Sequence, residues 1–163
     1  MQTKLIIDIA LILFAYILGS ISSAIVVCKI MRLPDPRAEG SGNPGATNVL
    51  RVGGKTAAII TLIGDILKGV IPVLIARACG VTDLALALVA FAAFVGHLYP
   101  VFFGFKGGRG VATAFGAILA LSWFIALLAL AVWILIAVVF RFSSLASICA
   151  SISMPIFAYF LAN

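Results

Sequence analysis

From residue 5 onward the chain is a succession of apolar runs, separated by short polar breaks that are rich in basic residues and glycine. A helix rises 1.5 Å per residue and the hydrocarbon core of a bilayer is about 30 Å thick, so about 20 apolar residues cross it. Residues 5–28, 56–76, 84–103 and 143–162 meet that length, and residues 111–140 exceed it. Within lipid a segment must satisfy its own backbone hydrogen bonds, which favours helices. The chain therefore reads as an all-α, polytopic integral membrane bundle. Hydrophobic residues make up 64% of it and charged residues 10%, against about 25% charged in soluble domains, which excludes a soluble globular fold. Residues 1–163 read as one transmembrane domain.

The first run begins like a signal peptide, with Lys4, an apolar stretch and the small residues Ser22, Ser23 and Ala24. It continues to Cys28, however, and Lys29 and Arg32 follow as stop-transfer charges. We expect one span over residues 5–28, with Gly19, Ser20, Ser22 and Ser23 allowing close helix approach. The second span, 56–76, carries Asp65 and Lys68, spaced i,i+3 on one helix face, and Pro72 predicts a kink. Each charge at mid-membrane costs about 2.5–3.5 kcal/mol, so this face must turn inward. The expectations are a helix-to-helix ion pair, or Lys68 at the edge of an anion site. As one helix, residues 111–140 would be about 45 Å long. A break near Ser122 and Trp123 gives two helices, the first short, and six spans in all.

Basic residues outnumber acidic ones 11 to 5. Lys29, Arg32, Arg37, Arg51, Lys55, Lys106, Arg109 and Arg141 lie in or beside three breaks. By the positive-inside rule those breaks are cytoplasmic and the N-terminus is outside.

Two breaks carry candidate chemistry. In residues 31–55, the stretch 40–51 reads GSGNPGATNVLR. Asn43 is expected to cap a short helix with Pro44 at its first position, ended by Gly53 and Gly54. Gly40, Ser41, Gly42 and Gly45 then lie by that helix's N-terminus, where unpaired amides and the helix dipole favour an anion. Ser41, Asn43, Thr47 and Asn48 add hydrogen bonds, and Arg51 supplies a bidentate cation for phosphate. In the second break, Lys106, Gly107, Gly108, Arg109 and Gly110 lead into the next helix with the same logic. Two such sites on one face suit two phosphate-bearing groups held together at the lipid boundary. His97, the sole histidine, is either a hydrogen-bonded structural residue or part of the site.

Other chemistries find little support. Gly54, Lys55 and Thr56 resemble the end of a phosphate-binding P-loop, but its first glycine would fall on Val49. Cys28, Cys79 and Cys149 are far apart, so neither a disulfide nor a metal cluster is expected. The basic residues are explained by topology, so nucleic acid is not expected as a partner. A small anion transporter or channel remains an alternative, as does a non-catalytic subunit binding anionic lipid.

The stretches GSISSA (19–24), LPDPR (33–37), GSGNPGATNVLR (40–51), DILKG (65–69), GHLYPVFFGFKGGRGVAT (96–113) and SSLAS (143–147) resemble the bacterial acyl-phosphate–glycerol-3-phosphate acyltransferases, the PlsY family. The resemblance implies transfer of an acyl chain from acyl phosphate to the 1-hydroxyl of sn-glycerol 3-phosphate in the bacterial inner membrane. The products are lysophosphatidic acid and phosphate, the first step of phospholipid synthesis. It implies no metal or cofactor, and a functional link to an enzyme that forms acyl phosphate. Ser41 and Arg51 match the family's essential serine and arginine. Residues 106–110 match its glycerol 3-phosphate motif, with GGRG where GGKG is common. The family pattern also implies a seventh span and a third cytoplasmic motif beyond residue 163. Which loop holds which phosphate stays open.

Overall fold

The computed structural model describes residues 2–162. Its elements are α1 (Gln2–Gly19), α2 (Ser23–Ile30), α3 (Ala46–Ala78), α4 (Asp83–Leu98), a short 3-10 turn (Val101–Phe103), α5 (Val111–Leu121), α6 (Trp123–Phe140) and α7 (Ser143–Ala162). The chain forms two compact units, one up to Ala117 and one from Ile118. Among the described residues, five helical segments are long and apolar enough to cross a membrane: Gln2–Gly19, Ala46–Ala78, Asp83–Phe103, Trp123–Phe140 and Ser143–Leu161. The 11-residue α5 is the expected short helix, and Ser122 starts α6, its hydroxyl oxygen accepting a hydrogen bond from the Ile125 amide at 3.5 Å.

The first span is not one helix. α1 stops at Gly19, and Ser22 caps α2 with its hydroxyl oxygen 3.5 Å from the Ile25 amide. Serine competes with helical backbone hydrogen bonds and is favoured at N-caps, which is why the run breaks here. The other early expectation to change is the start of α3. Asn43 does not cap it; Gly45 does, in extended conformation and without a side-chain hydrogen bond. Residues 43–45 close instead as a three-residue turn, with the Gly45 amide 2.9 Å from the Asn43 carbonyl. Proline at its centre suits the fixed φ that such a turn needs.

Gly54, with φ 80° and ψ −177°, interrupts α3, as the glycine pair predicts. It separates a short helix over residues 46–53 from the apolar helix that follows. At Pro72 the backbone φ/ψ stay helical. A left-handed φ is accessible to glycine without the Cβ penalty.

Inside the first unit the usual size order of a soluble core is reversed. Ala15, Ala24, Ala57, Ala76, Val89 and Ala93 are buried, while Leu5, Ile6, Ile59, Leu84 and Phe91 are exposed. Lipid solvates large apolar side chains, so helices associate through small ones. Gly19 lies against the Ala93 backbone and Gly96 against the Tyr16 carbonyl, joining α1 to α4. Gly69 lies against Thr113 and Gly116 against Ile66, joining α3 to the start of α5. In the second unit α6 packs on α7, with the Trp133 indole donating to the Ser147 hydroxyl at 3.2 Å.

A side chain at Gly96 must push backbone apart. Gly96→Val should destabilise the folded protein by about 1–3 kcal/mol, the range for overpacking. Leu84→Val, at an exposed position, should change it by no more than about 0.5 kcal/mol. Reversible unfolding in mixed micelles measures both, and equal effects would refute the close-approach assignment.

Candidate functional site

The first loop, residues 31–45, is organised by a side chain that follows it. Asn48 is 1% exposed. Its Oδ1 accepts from the Ser41 amide at 2.8 Å, and its Nδ2 donates to the carbonyls of Pro36 at 2.8 Å and Glu39 at 3.0 Å. One amide thereby satisfies backbone groups that the loop cannot pair with itself. Gly40 and Gly42 adopt φ 61° and 68°, and a side chain on Gly40 would strike Asn48 Oδ1. Asn48 was expected among the ligand-binding residues; its side chain is engaged with the loop itself. Val49, fully buried with Ala24, Val27, Cys28 and Ala57, seats the short helix on α2.

The opposite face of that helix is open. Thr47 and Arg51, one turn apart, are exposed, as is Ser41. The Gly45 cap contributes no side chain, so the first amides of α3 keep their donor capacity for a ligand. Nearby, Arg37 grips Asp35: Nη2 donates to Oδ2 at 2.7 Å, Nε to Oδ1 at 3.1 Å and to Oδ2 at 3.2 Å, and the Arg37 amide to Oδ1 at 2.9 Å. That hydrogen bonding lowers the Asp35 pKa, with burial opposing it. The clasp is present above the ordinary carboxylate range and is lost as pH falls through the depressed value. Both side chains are exposed enough for solvent to screen the pair.

The second loop folds back on the end of α4. The Gly107 amide donates to the Leu98 carbonyl at 3.1 Å and the Gly108 amide to the His97 carbonyl at 3.2 Å. Gly110 has φ 74° and abuts Phe94. Lys106 and Arg109 flank these glycines and are exposed. Arg51, Lys106 and Arg109 take part in no ion pair among the described residues.

Gly108 is where the loops meet. A Cβ built on it would lie 3.1 Å from the Pro44 carbonyl oxygen and would collide with His97 Nε2. The two expected anion sites are therefore neighbours, joined through a residue with no side chain. Beneath them lies a buried polar chain. His97 Nδ1 is 3.2 Å from Thr113 Oγ1 and 3.6 Å from Asp65 Oδ1. Asp65 Oδ1 is 3.0 Å from Lys68 Nζ, which donates to the Ile21 carbonyl at 2.8 Å. Lys68 is thus placed in the interior, on the carbonyl freed by the α1–α2 break. The ion pair lies within α3, where the expectation was one between helices.

Residues 9–163 match the family described as glycerol-3-phosphate acyltransferase. The chain belongs to that family. It is 58% identical over 149 residues to the glycerol-3-phosphate acyltransferase of Methylococcus capsulatus, covering 91% of this chain and 75% of that one. Against the Shewanella halifaxensis protein of the same name it is 51% identical over 160 residues, covering 98% and 80%. Among solved structures it is similar to PlsY, an integral membrane glycerol 3-phosphate acyltransferase. With the glycerol 3-phosphate form the TM-score is 0.90 at 46% identity, covering 94% of this chain and 77% of that one. With the lysophosphatidic acid form it is 0.87 at 44% identity, covering 94% and 76%.

Within this acyltransferase-family fold, sequence reasoning located both loops and missed the Asp65–His97–Thr113 contact that lies under them. Asp65 stood out only through its spacing to Lys68; nothing local in the sequence pairs it with a residue on α4.

The Asn48 contacts predict a graded effect. Asn48→Asp keeps the acceptor for Ser41 but sets a carboxylate oxygen against two carbonyls. Leaving such groups unsatisfied costs about 1–3 kcal/mol each. Limited proteolysis should cut residues 31–45 of that variant at least about tenfold faster, since 1.4 kcal/mol is tenfold in an opening equilibrium. An unchanged cleavage rate would refute the hub role.

Proposed function

We propose that this chain transfers a fatty acyl group from acyl phosphate to the 1-hydroxyl of sn-glycerol 3-phosphate, at the cytoplasmic side of the bacterial inner membrane. The meeting of the two glycine-rich loops at Gly108, with Arg51, Lys106 and Arg109 exposed around it, carries this reading beyond family membership. Two phosphate-bearing substrates need adjacent anion sites, and the glycines give the backbone close approach to both. The relatives' names and the ligands of the PlsY forms support glycerol 3-phosphate as acceptor.

Acyl phosphate is a mixed anhydride with a good leaving group, so the site must chiefly hold and orient. In this reading Ser41, the amides after Gly45, and Thr47 hold the acyl-phosphate head; Gly40, Gly42 and Asn43 shape that cradle, and Asn48 positions Ser41. Lys106 and Arg109, with Gly107, Gly108 and Gly110, hold glycerol 3-phosphate. Arg51 bridges the two and offsets charge gathering on the leaving phosphate. The hydroxyl oxygen forms the ester bond as the bond from the carbonyl carbon to the phosphate oxygen breaks. Phosphate departs, and the hydroxyl proton leaves with it. The apolar exterior keeps the acyl chain in lipid, and both compact units serve one acyltransferase domain. An enzyme making acyl phosphate is the implied supplier. Transport is the weaker reading, because the intramembrane charges Asp65 and Lys68 are paired with each other.

Purified protein given palmitoyl phosphate and glycerol 3-phosphate should form lysophosphatidic acid without coenzyme A or ATP. Phosphate flux across proteoliposomes with no ester formed would replace this reading with transport. Arg109→Ala should raise the glycerol 3-phosphate KM about 10- to 100-fold, as expected for loss of a charged hydrogen bond of about 1.5–3 kcal/mol. A change confined to the acyl-phosphate KM would reverse the assignment of the loops.

A further inference from the structure

The two ring nitrogens of His97 have different surroundings. Nδ1 faces Thr113 Oγ1 and the Asp65 carboxylate, 3.2 and 3.6 Å away. Nε2 faces Gly108, in the loop assigned to the acceptor substrate, where the missing side chain leaves it room. Asp65 does not reach that loop; it meets Lys68 at 3.0 Å, and Lys68 is anchored on the Ile21 carbonyl. This chain is buried throughout, with Asp65 2%, Lys68 5% and His97 6% exposed, and phosphate binding gives it no task.

The partner of one imidazole nitrogen fixes the state of the other. A carboxylate and a hydroxyl on the Nδ1 side favour a proton there. That tautomer leaves the ring's lone pair on Nε2. The side chains assigned to glycerol 3-phosphate, Lys106 and Arg109, are donors only and offer its hydroxyl no acceptor. An attacking hydroxyl needs an acceptor to aim its lone pair at the carbonyl.

We propose that Asp65 is a positioning residue for acyl transfer. Acting through His97, it presents Nε2 beside Gly108 as the hydrogen-bond acceptor that orients the 1-hydroxyl of glycerol 3-phosphate. This rests on the acyl-transfer reading given above. The groups facing the ring are Asp65 and Lys68 from α3 and Thr113 from α5, with Lys106 and Arg109 flanking the loop. From α1, Tyr16 has its hydroxyl on the Tyr99 carbonyl.

Because the chain has one histidine, nitrogen-15 NMR of histidine-labelled wild-type protein reads this ring alone. The Nδ1–H tautomer is expected; a dominant Nε2–H tautomer overturns the proposal without any variant. Kinetics with palmitoyl phosphate and glycerol 3-phosphate supply the second arm. If the wild type forms no lysophosphatidic acid, the acyl-transfer reading fails, and the tautomer result still stands by itself. If it does, D65N/K68M, which leaves no lone buried charge, should lower kcat at least about tenfold, with the glycerol 3-phosphate KM changed less than about twofold. Added to H97A, the same pair should cost less than about twofold more, since residues acting through one another are not additive. A kcat within about twofold of wild type, or an equal loss in the H97A background, would show that Asp65 supports only the fold.

Discussion

The Lys68 ammonium resolves two polar problems in an apolar interior. The break between α1 and α2 frees the Ile21 carbonyl, which Lys68 binds at 2.8 Å, and the Asp65 carboxylate lies 3.0 Å away. Removing either partner would leave a charge or a carbonyl unsatisfied where water is scarce. The contact ties α3 to the start of α2, and through Asp65 and His97 it reaches the end of α4. The second loop bonds back onto that end, so the glycines at the surface rest on a polar chain running through the first unit.

Small residues make that arrangement possible. Gly19 and Gly96 bring α1 and α4 into backbone contact, and Gly69 and Gly116 do so for α3 and α5. At such distances the buried groups can meet directly. A large side chain at these crossings would widen the spacing and separate His97 from Asp65 or Thr113. Packing and site geometry therefore depend on the same glycines.

Much of this was legible in the amino-acid order. Apolar length marks the spans, and Ser122 betrays the division of residues 111–140, because a serine before a fresh apolar run is a cap. Gly53 and Gly54 announce the end of the short helix. The misreadings share a cause. Asn43 and Asn48 are both plausible partners for a cap or a ligand, and local rules favour the one beside proline. The fold instead closes a turn around Pro44 and turns Asn48 inward onto Ser41, Pro36 and Glu39. The α1–α2 break was hidden because apolar composition continues through it. Its reason, an acceptor for a lysine 47 residues away, is a tertiary fact. The same holds for His97, whose partners come from α3, α5 and the second loop.

Gly54 has a mechanical consequence. Its φ of 80° is paired with open space, since a Cβ there would meet nothing within 4 Å. Below it the long apolar part of α3 answers to the bilayer, tilting as hydrocarbon thickness changes. Above it the eight residues 46–53 are clamped to α2 by Val49 and to the loop by Asn48. A swivel between a lipid-governed rod and a clamped segment absorbs the tilt locally. Thr47 and Arg51 can thus keep their bearing in membranes of different thickness, so that the lipid made by such an enzyme can alter the bilayer without detuning its maker.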